Sequence, residues 1–251
     1  MKNAGKIYFA SDFHLGLKGL SDPRKREKHA VKWLDSIKHD AGIIFLVGDV
    51  FDFWWEYKNV VPKGFTRFLG KISELTDSGI EVHFFTGNHD MWIGDYLSEE
   101  CGMVLHTKPE SILIGDKKFH IAHGEGLGIQ KKGYKILLWI FRNRFLRKLY
   151  AVIHPSIGIG LAHRWSFSSR LAKNYKSVFK GPENEPLFNY ALEVLEHEDC
   201  DYFIFVHRHI ALDHKIGEKS RVFILGNWFN EPVYVEFEVG TSPQLRPYPY
   251  Q

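Results

Sequence analysis

Seven short apolar runs punctuate this chain, near residues 6–11, 43–47, 81–86, 118–122, 202–206, 221–225 and 232–238. They are rich in Ile, Val and Phe, and they are continuous rather than alternating. A strand with one wet face alternates apolar and polar residues; a continuous run marks a strand covered on both faces. The chain must therefore supply cover for its sheet, and helix-like stretches lie between the runs. Residues 24–39 place Ala30, Val31, Trp33, Leu34 and Ile37 at helical spacing, and residues 64–77 do the same with Phe65, Phe68, Leu69, Ile72 and Leu75. Residues 185–198 repeat the pattern with Leu187, Ala191, Leu192 and Leu195. The alternation predicts an α/β fold with a largely parallel central sheet. Strands crowd together after residue 200, which predicts a second, more antiparallel sheet. The stretch Thr241–Gln251 holds three prolines and predicts an irregular tail.

At 251 residues such a fold buries its core without staples. The only two cysteines, Cys101 and Cys200, have no paired spacing. That argues against a disulfide framework or a thiolate zinc site and fits a reducing compartment. No signal-peptide pattern opens the chain, and no apolar run approaches the ~20 residues that span a bilayer. A cytoplasmic location is expected.

The net charge of +3 conceals an asymmetry. Residues 126–182 carry twelve of the 33 Lys and Arg and none of the 30 Asp and Glu. A local basic field favours an anionic partner: phosphate, nucleic acid or lipid headgroups. In the same region Tyr134, Leu138, Phe141, Phe145, Leu149 and Val152 repeat at helical spacing. Arg144, Arg147 and Lys148 lie on another face, with Lys135 and Arg142 on the far flank. His154-Pro155 should end that helix, and a second helix-like stretch follows over roughly 157–174. Two helices packed on the core would explain the stripe. So would a helical insertion over residues 127–182, within one domain of residues 1–251, that covers a site and meets a lipid surface.

Five of the apolar runs end in polar motifs: Asp12-Phe13-His14, Gly48-Asp49, Gly87-Asn88-His89-Asp90, His123-Gly124-Glu125 and His207-Arg208-His209. Ligand sites of open α/β sheets gather at the carboxyl ends of strands. Each motif alone has a plain explanation: an exposed Asp-x-His pair, a capped turn at Asp49, an Asn turn, a structural histidine. Five together at strand ends are an inventory of oxygen and nitrogen ligands sufficient for two metal ions. Asp49, with two carboxylate oxygens, can bridge them. Asn88 offers a neutral carbonyl oxygen suited to a hard divalent ion. His89 is placed to face a substrate, and Asp90 to orient its imidazole. Paired metals point to hydrolysis of phosphate esters.

In this order the motifs resemble the calcineurin-like metallophosphoesterases, over residues 12 to 209. The resemblance implies a four-layer αββα sandwich with a binuclear site at one edge. It implies one ion held by Asp12, His14, Asp49 and His209, and a second held by Asp49, Asn88, His123 and His207. His89 then touches the scissile phosphate, supported by Asp90. Mixed O and N ligation suits manganese, with iron or zinc also compatible. Two positions depart from the common pattern: Val206 stands where Gly usually precedes His-x-His, and Glu125 follows His-Gly where Asp is usual.

Phe51-Asp52-Phe53-Trp54-Trp55, directly after Asp49-Val50, is similar to the Gly-Asp-x-Phe-Asp-x-Trp pattern of a narrower branch. That branch is the UDP-2,3-diacylglucosamine diphosphatases of lipid A synthesis. Phe141-Arg142-Asn143-Arg144-Phe145-Leu146 and Ser168-Ser169-Arg170-Leu171-Ala172-Lys173-Asn174 resemble its helical cap, which shelters acyl chains. His89 stands where close members commonly carry Arg. The resemblance implies release of UMP from a UDP-linked acylated sugar at the anionic inner-membrane face. Substrate contacts would come from Asn88, His89, His207, Arg170, Lys173 and Asn174, with no nucleic-acid partner. Two other readings fit the residues less fully. A phosphodiesterase or nuclease leaves the apolar stripe unexplained, and a non-catalytic membrane-binding module leaves the complete ligand set unexplained.

Overall fold

The structure, a computed structural model, describes residues 5–17, 22–128, 132–161, 164 and 178–250. Two sheets face each other. The first contains β1 (Lys6–Ala10), β2 (Ala41–Val47), β3 (Glu81–Phe85), β4 (Val104–His106), β10 (Val233–Phe237) and β11 (Gln244–Pro247), in the order β11-β10-β1-β2-β3-β4. The second contains β5 (Glu110–Ile114), β6 (Lys117–Ile121), β7 (Tyr202–Phe205), β8 (Leu212–Ile216) and β9 (Ser220–Ile224), in the order β5-β6-β7-β9-β8.

The continuous apolar runs are explained by burial on both faces. In β1, Ile7 and Phe9 point into the space between the sheets, where they meet Phe45, Phe119, Ile204, Phe223 and Val235. Tyr8 and Ala10 point the other way, toward Trp33 and Leu34 of α1 (Pro23–Ile37) and Phe68 and Ile72 of α2 (Thr66–Asp77). Phe9 stacks on Phe45 at 4.9 Å and on Phe119 of the opposite sheet at 5.5 Å. Each such fully buried side chain contributes on the order of 1.5–3 kcal/mol. On the far side, Leu187, Phe188 and Ala191 of α6 (Pro186–Leu195) cover Phe203, Phe205, Val222 and Ile224. The layers run helix, sheet, sheet, helix.

Several expectations change. The second sheet begins before residue 200, with β5 and β6. Its pairings β6–β7 and β7–β9 are parallel while β5–β6 and β8–β9 are antiparallel, so it is mixed. The run 232–238 joins the first sheet instead, antiparallel to β1. The proline-bearing tail is not irregular throughout: Gln244–Pro247 pair with β10, and proline is admitted because the strand lies at a sheet edge. The stretch 134–152, expected as one helix, forms two, α4 (Lys132–Arg142) and α5 (Arg144–Ala151). Asn143 breaks them, its side-chain oxygen accepting from Phe145 N at 2.9 Å and Leu146 N at 3.2 Å. The apolar stripe is broken with them. Leu138 is buried, whereas Phe145 and Val152 are 69% and 85% exposed. Residues 155–161 are helical after Pro155; much of the second helix-like stretch, including Arg170, Lys173 and Asn174, lies outside the described residues.

Candidate metal centre

β1, β2 and β3 are mutually parallel, as are β6 and β7, so the segments that follow them converge at one rim. The backbone there is strained. Asp12, His14, Asp49, His207 and His209 have φ of 52°, 44°, 51°, 67° and 53°; among the described residues Phe65 is the one other non-glycine residue with positive φ. Left-handed non-glycine residues cost on the order of 1–3 kcal/mol each and persist only where surroundings over-determine them. Here hydrogen bonds supply that determination. Asp12 N donates to Gly48 O at 3.1 Å, His14 N to Asp49 O at 3.0 Å and Trp228 N to Asp12 O at 3.1 Å. Buried Arg26 donates from Nη1 to His14 O at 2.9 Å.

These turns bring the side chains into two clusters that meet at Asp49. In the first, Asp12 Oδ1 lies 3.5 Å from His14 Nε2 and 3.6 Å from His209 Nδ1. In the second, Asp49 Oδ2 lies 3.3 Å from His123 Nε2, and His207 completes the group. Asp49 Oδ2 is also 3.8 Å from His14 Nε2, so one carboxylate borders both clusters. In each cluster the three ligand atoms lie within 4.8 Å of one another.

The donor set fits a pair of divalent ions. Asp12 Oδ1, Asn88 Oδ1, His123 Nε2 and His207 Nδ1 are buried and lack a hydrogen-bond partner among the described residues. Buried polar atoms left this way are costly unless something absent from the polypeptide engages them. His123 Nδ1 is 3.0 Å from Val47 O; the carbonyl can only accept, so Nδ1 carries the proton and Nε2 is turned toward Asp49. Burial, then the neighbouring His123, lowers the His207 imidazole to about 3, and burial lowers His209 to about 4. Both are thus neutral donors of the kind metals require. Burial works to raise the Asp49 carboxyl, but His123 and His89 outweigh it and hold it well below the usual carboxylate range. Burial likewise opposes charge on His123, yet the Asp49 carboxylate raises it well above its ordinary value. The Asp49 carboxylate is thus the charged centre of the cluster.

Asp90 stands elsewhere than expected. Its oxygens accept from Gly87 N at 2.7 Å, Asp49 N at 3.3 Å and Phe51 N at 3.3 Å. It ties the turn after β2 to the turn after β3, and burial with the nearby Asp49 carboxylate pushes its carboxyl up to about 7. The residue behind His89 is Asp52. Its carbonyl oxygen accepts from His89 Nδ1 at 2.9 Å, and its buried carboxylate lies 3.9 Å from the same nitrogen and 3.7 Å from His14 Nδ1. The sequence reading missed Asp52 as a site residue; its signal is the Asp49-x-x-Asp52 spacing, which returns a second carboxylate to the same rim. Arg208, between the two ligand-type histidines, donates to buried Glu185 at 2.6 and 3.1 Å and fastens that turn to the start of α6.

The insertion docks beside these turns through aromatic rings. Trp92 Nε1 donates to Phe141 O at 2.9 Å, and Trp55 meets Tyr150 at 4.5 Å between ring centroids. Arg147 lies over Trp55 at 6.0 Å. Trp55 follows the Asp49–Asp52 turn and Trp92 follows Asp90, so the insertion rests on the segments that carry the candidate site.

Fold and site together define a protein with two layered sheets and a candidate two-metal centre at one rim. A dimetal phosphatase from Danio rerio has the same fold, with a TM-score of 0.50 at 12% identity, covering 97% of this chain and 96% of that one. No protein-family model matches the chain. A UDP-2,3-diacylglucosamine hydrolase from Porphyromonas gingivalis is 41% identical over 250 residues, 94% of this chain and 95% of that protein. A protein of the same name from Shewanella pealeana is 25% identical, covering 90% and 91%. The chain belongs to the UDP-2,3-diacylglucosamine hydrolase family.

Proposed function

We propose that this protein hydrolyses the diphosphate of UDP-2,3-diacylglucosamine, giving UMP and 2,3-diacylglucosamine 1-phosphate. The observation that carries the reading is the pair of ligand clusters sharing Asp49, in a chain 41% identical to a protein named for that hydrolysis. Asp12, His14, Asp49 and His209 would hold one divalent ion, and Asp49, Asn88, His123 and His207 the other. The oxygen and nitrogen donors, without thiolate, suit manganese. Such a pair supplies Lewis acidity, which activates water and neutralises phosphoryl oxygens.

The protein's own groups do the positioning. His89 keeps its Nδ1 proton on the Asp52 carbonyl, which leaves Nε2 to contact a phosphoryl or leaving oxygen. The Asp52 carboxylate lies 3.9 Å from His89 Nδ1. Asp90 fixes the distance between the Asp49 and Asn88 turns rather than the His89 ring. Asn88 and His207 border the phosphate as well as an ion, and Arg170, Lys173 and Asn174 would extend the contacts to the diphosphate.

Exposed Trp139, Phe145, Leu149 and Val152, beside the cations Arg144, Arg147 and Lys148, support a role for the insertion against acyl chains and an anionic lipid surface. Among the described residues no helix is long and apolar enough to cross a membrane, so the contact would be peripheral, at the inner face of the cytoplasmic membrane.

The test is release of UMP from UDP-2,3-diacylglucosamine in manganese buffer. Turnover of a generic phosphodiester with no UMP from the lipid substrate would sink the proposal. His89→Ala is expected to retain both ions, measured by metal analysis, while kcat falls by ~10²–10³, the usual cost of removing one positioned catalytic group. Unchanged kcat would remove His89 from the chemistry.

A further inference from the structure

A cleft of about 140 Å³ opens beside His123 and is used by none of the roles above. Phe85 and Thr86 at the end of β3, Lys108 between β4 and β5, Leu127, and Leu138 of α4 form its walls. It therefore touches the Asp49–His123 cluster on one side and the insertion on the other. Two of its polar side chains are unengaged: among the described residues neither Lys108 Nζ nor Thr86 Oγ1 has a hydrogen-bond or ion-pair partner. Lys117 and Lys118, at the start of β6, differ. Lys117 pairs with Asp201 and Lys118 with Glu198.

We propose that this cleft receives the nucleoside end of the substrate, a pyrimidine nucleoside phosphate, with Lys108 and Thr86 as its polar contacts. The proposal rests on the diphosphate-hydrolase reading and extends it to the leaving group. Size decides first. A cavity of about 150 Å³ holds one six-membered ring, so this cleft takes the base of the nucleoside, with the ribose outside it, and not an acyl chain of a dozen carbons. Chemistry decides next. Leu127 and Leu138 offer apolar walls to the faces of a ring, while an ammonium and a hydroxyl match the carbonyl oxygens on a pyrimidine edge. Position decides last. The cleft adjoins His123, so a nucleoside seated there leaves its phosphate at the clusters, while the exposed apolar surface of the insertion remains for the lipid half.

The experiment is calorimetric binding of UMP and of inorganic phosphate to the manganese-loaded protein and to Lys108→Ala, Lys108→Arg and Thr86→Val. Lys108 is exposed between two strands, so its replacement leaves the packed layers intact. Lys108→Ala is expected to weaken UMP about tenfold, the size of one charge-assisted hydrogen bond, and phosphate less than about twofold. Lys108→Arg should recover most of the loss, and Thr86→Val should weaken UMP about threefold. KM for the UDP-linked substrate should rise in parallel in Lys108→Ala. UMP affinity unchanged in Lys108→Ala, or phosphate weakened as much as UMP, overturns the assignment, since the lysine would then be idle or acting only through its field. The two readings fail separately. Wild-type protein that binds UMP through Lys108 but releases none from the lipid substrate refutes the reaction and not the cleft. Turnover without Lys108-dependent UMP binding refutes the cleft and not the reaction.

Discussion

Asp49→Ala is expected to bind at most one divalent ion where the parent protein binds two, and to lose turnover by more than ~10³-fold. No other carboxylate described here borders both clusters: Asp49 Oδ2 lies 3.3 Å from His123 Nε2 and 3.8 Å from His14 Nε2. An alanine removes the shared ligand, so neither half keeps a complete set. It also removes the acceptor that Asp49 Oδ1 gives to His89 N at 2.9 Å, which frees the turn holding His89. The structural cost of that unpaired donor is about 1–3 kcal/mol, enough to lower the melting temperature without unfolding a domain of this size. Titration calorimetry with manganese, alongside a thermal melt, separates the two effects. Two ions bound by Asp49→Ala with near-parental affinity would show that Asp49 is not the bridge.

What could be foreseen of this centre depended on local chemistry. Asp12, His14, Asp49, His123, His207 and His209 each follow an apolar run, and a run buried on both faces delivers the residue after it to a sheet rim. The four layers were legible for the same reason, since runs without alternation demand cover on both sides. Pairings between distant segments were not. Whether Val233–Phe237 joins β1 or the later strands depends on contacts more than 220 residues away in sequence, which no local pattern encodes. Asp90 shows a subtler failure. Adjacency in sequence suggested that it supports His89, but neighbouring side chains diverge, and buried N–H groups in tight turns require an acceptor. Gly87 N, Asp49 N and Phe51 N claim its carboxylate, and the support for His89 falls to Asp52, 37 positions earlier. The unbroken helix expected over residues 134–152 failed because asparagine, ordinary within a polar face, also caps, and Asn143 does so here.

Gly87→Ala tests whether the spacing of the turns, rather than their ligands, sets activity. A Cβ at Gly87 would stand 2.3 Å from Asp49 Oδ1 and 2.6 Å from Asp49 N, and the second of these is backbone that cannot rotate away. The same turn is pinned from behind, where Asp90 accepts from both Gly87 N and Asp49 N. A methyl group there must push the β2 and β3 turns apart or break that clamp. Overpacking of this kind costs about 1–3 kcal/mol, and a displacement near 1 Å of a catalytic group costs ~10²-fold in rate. The variant should fold, bind manganese more weakly and lose about 10²-fold in kcat with every ligand side chain still present. Gly70→Ala is the control. Gly70 lies in α2, exposed, with nothing within 4 Å of the added Cβ, and the change should stabilise the protein by about 0.5–1 kcal/mol with kcat unaltered. Equal kcat in Gly87→Ala and Gly70→Ala would mean that the close approach of the two turns is incidental to the chemistry.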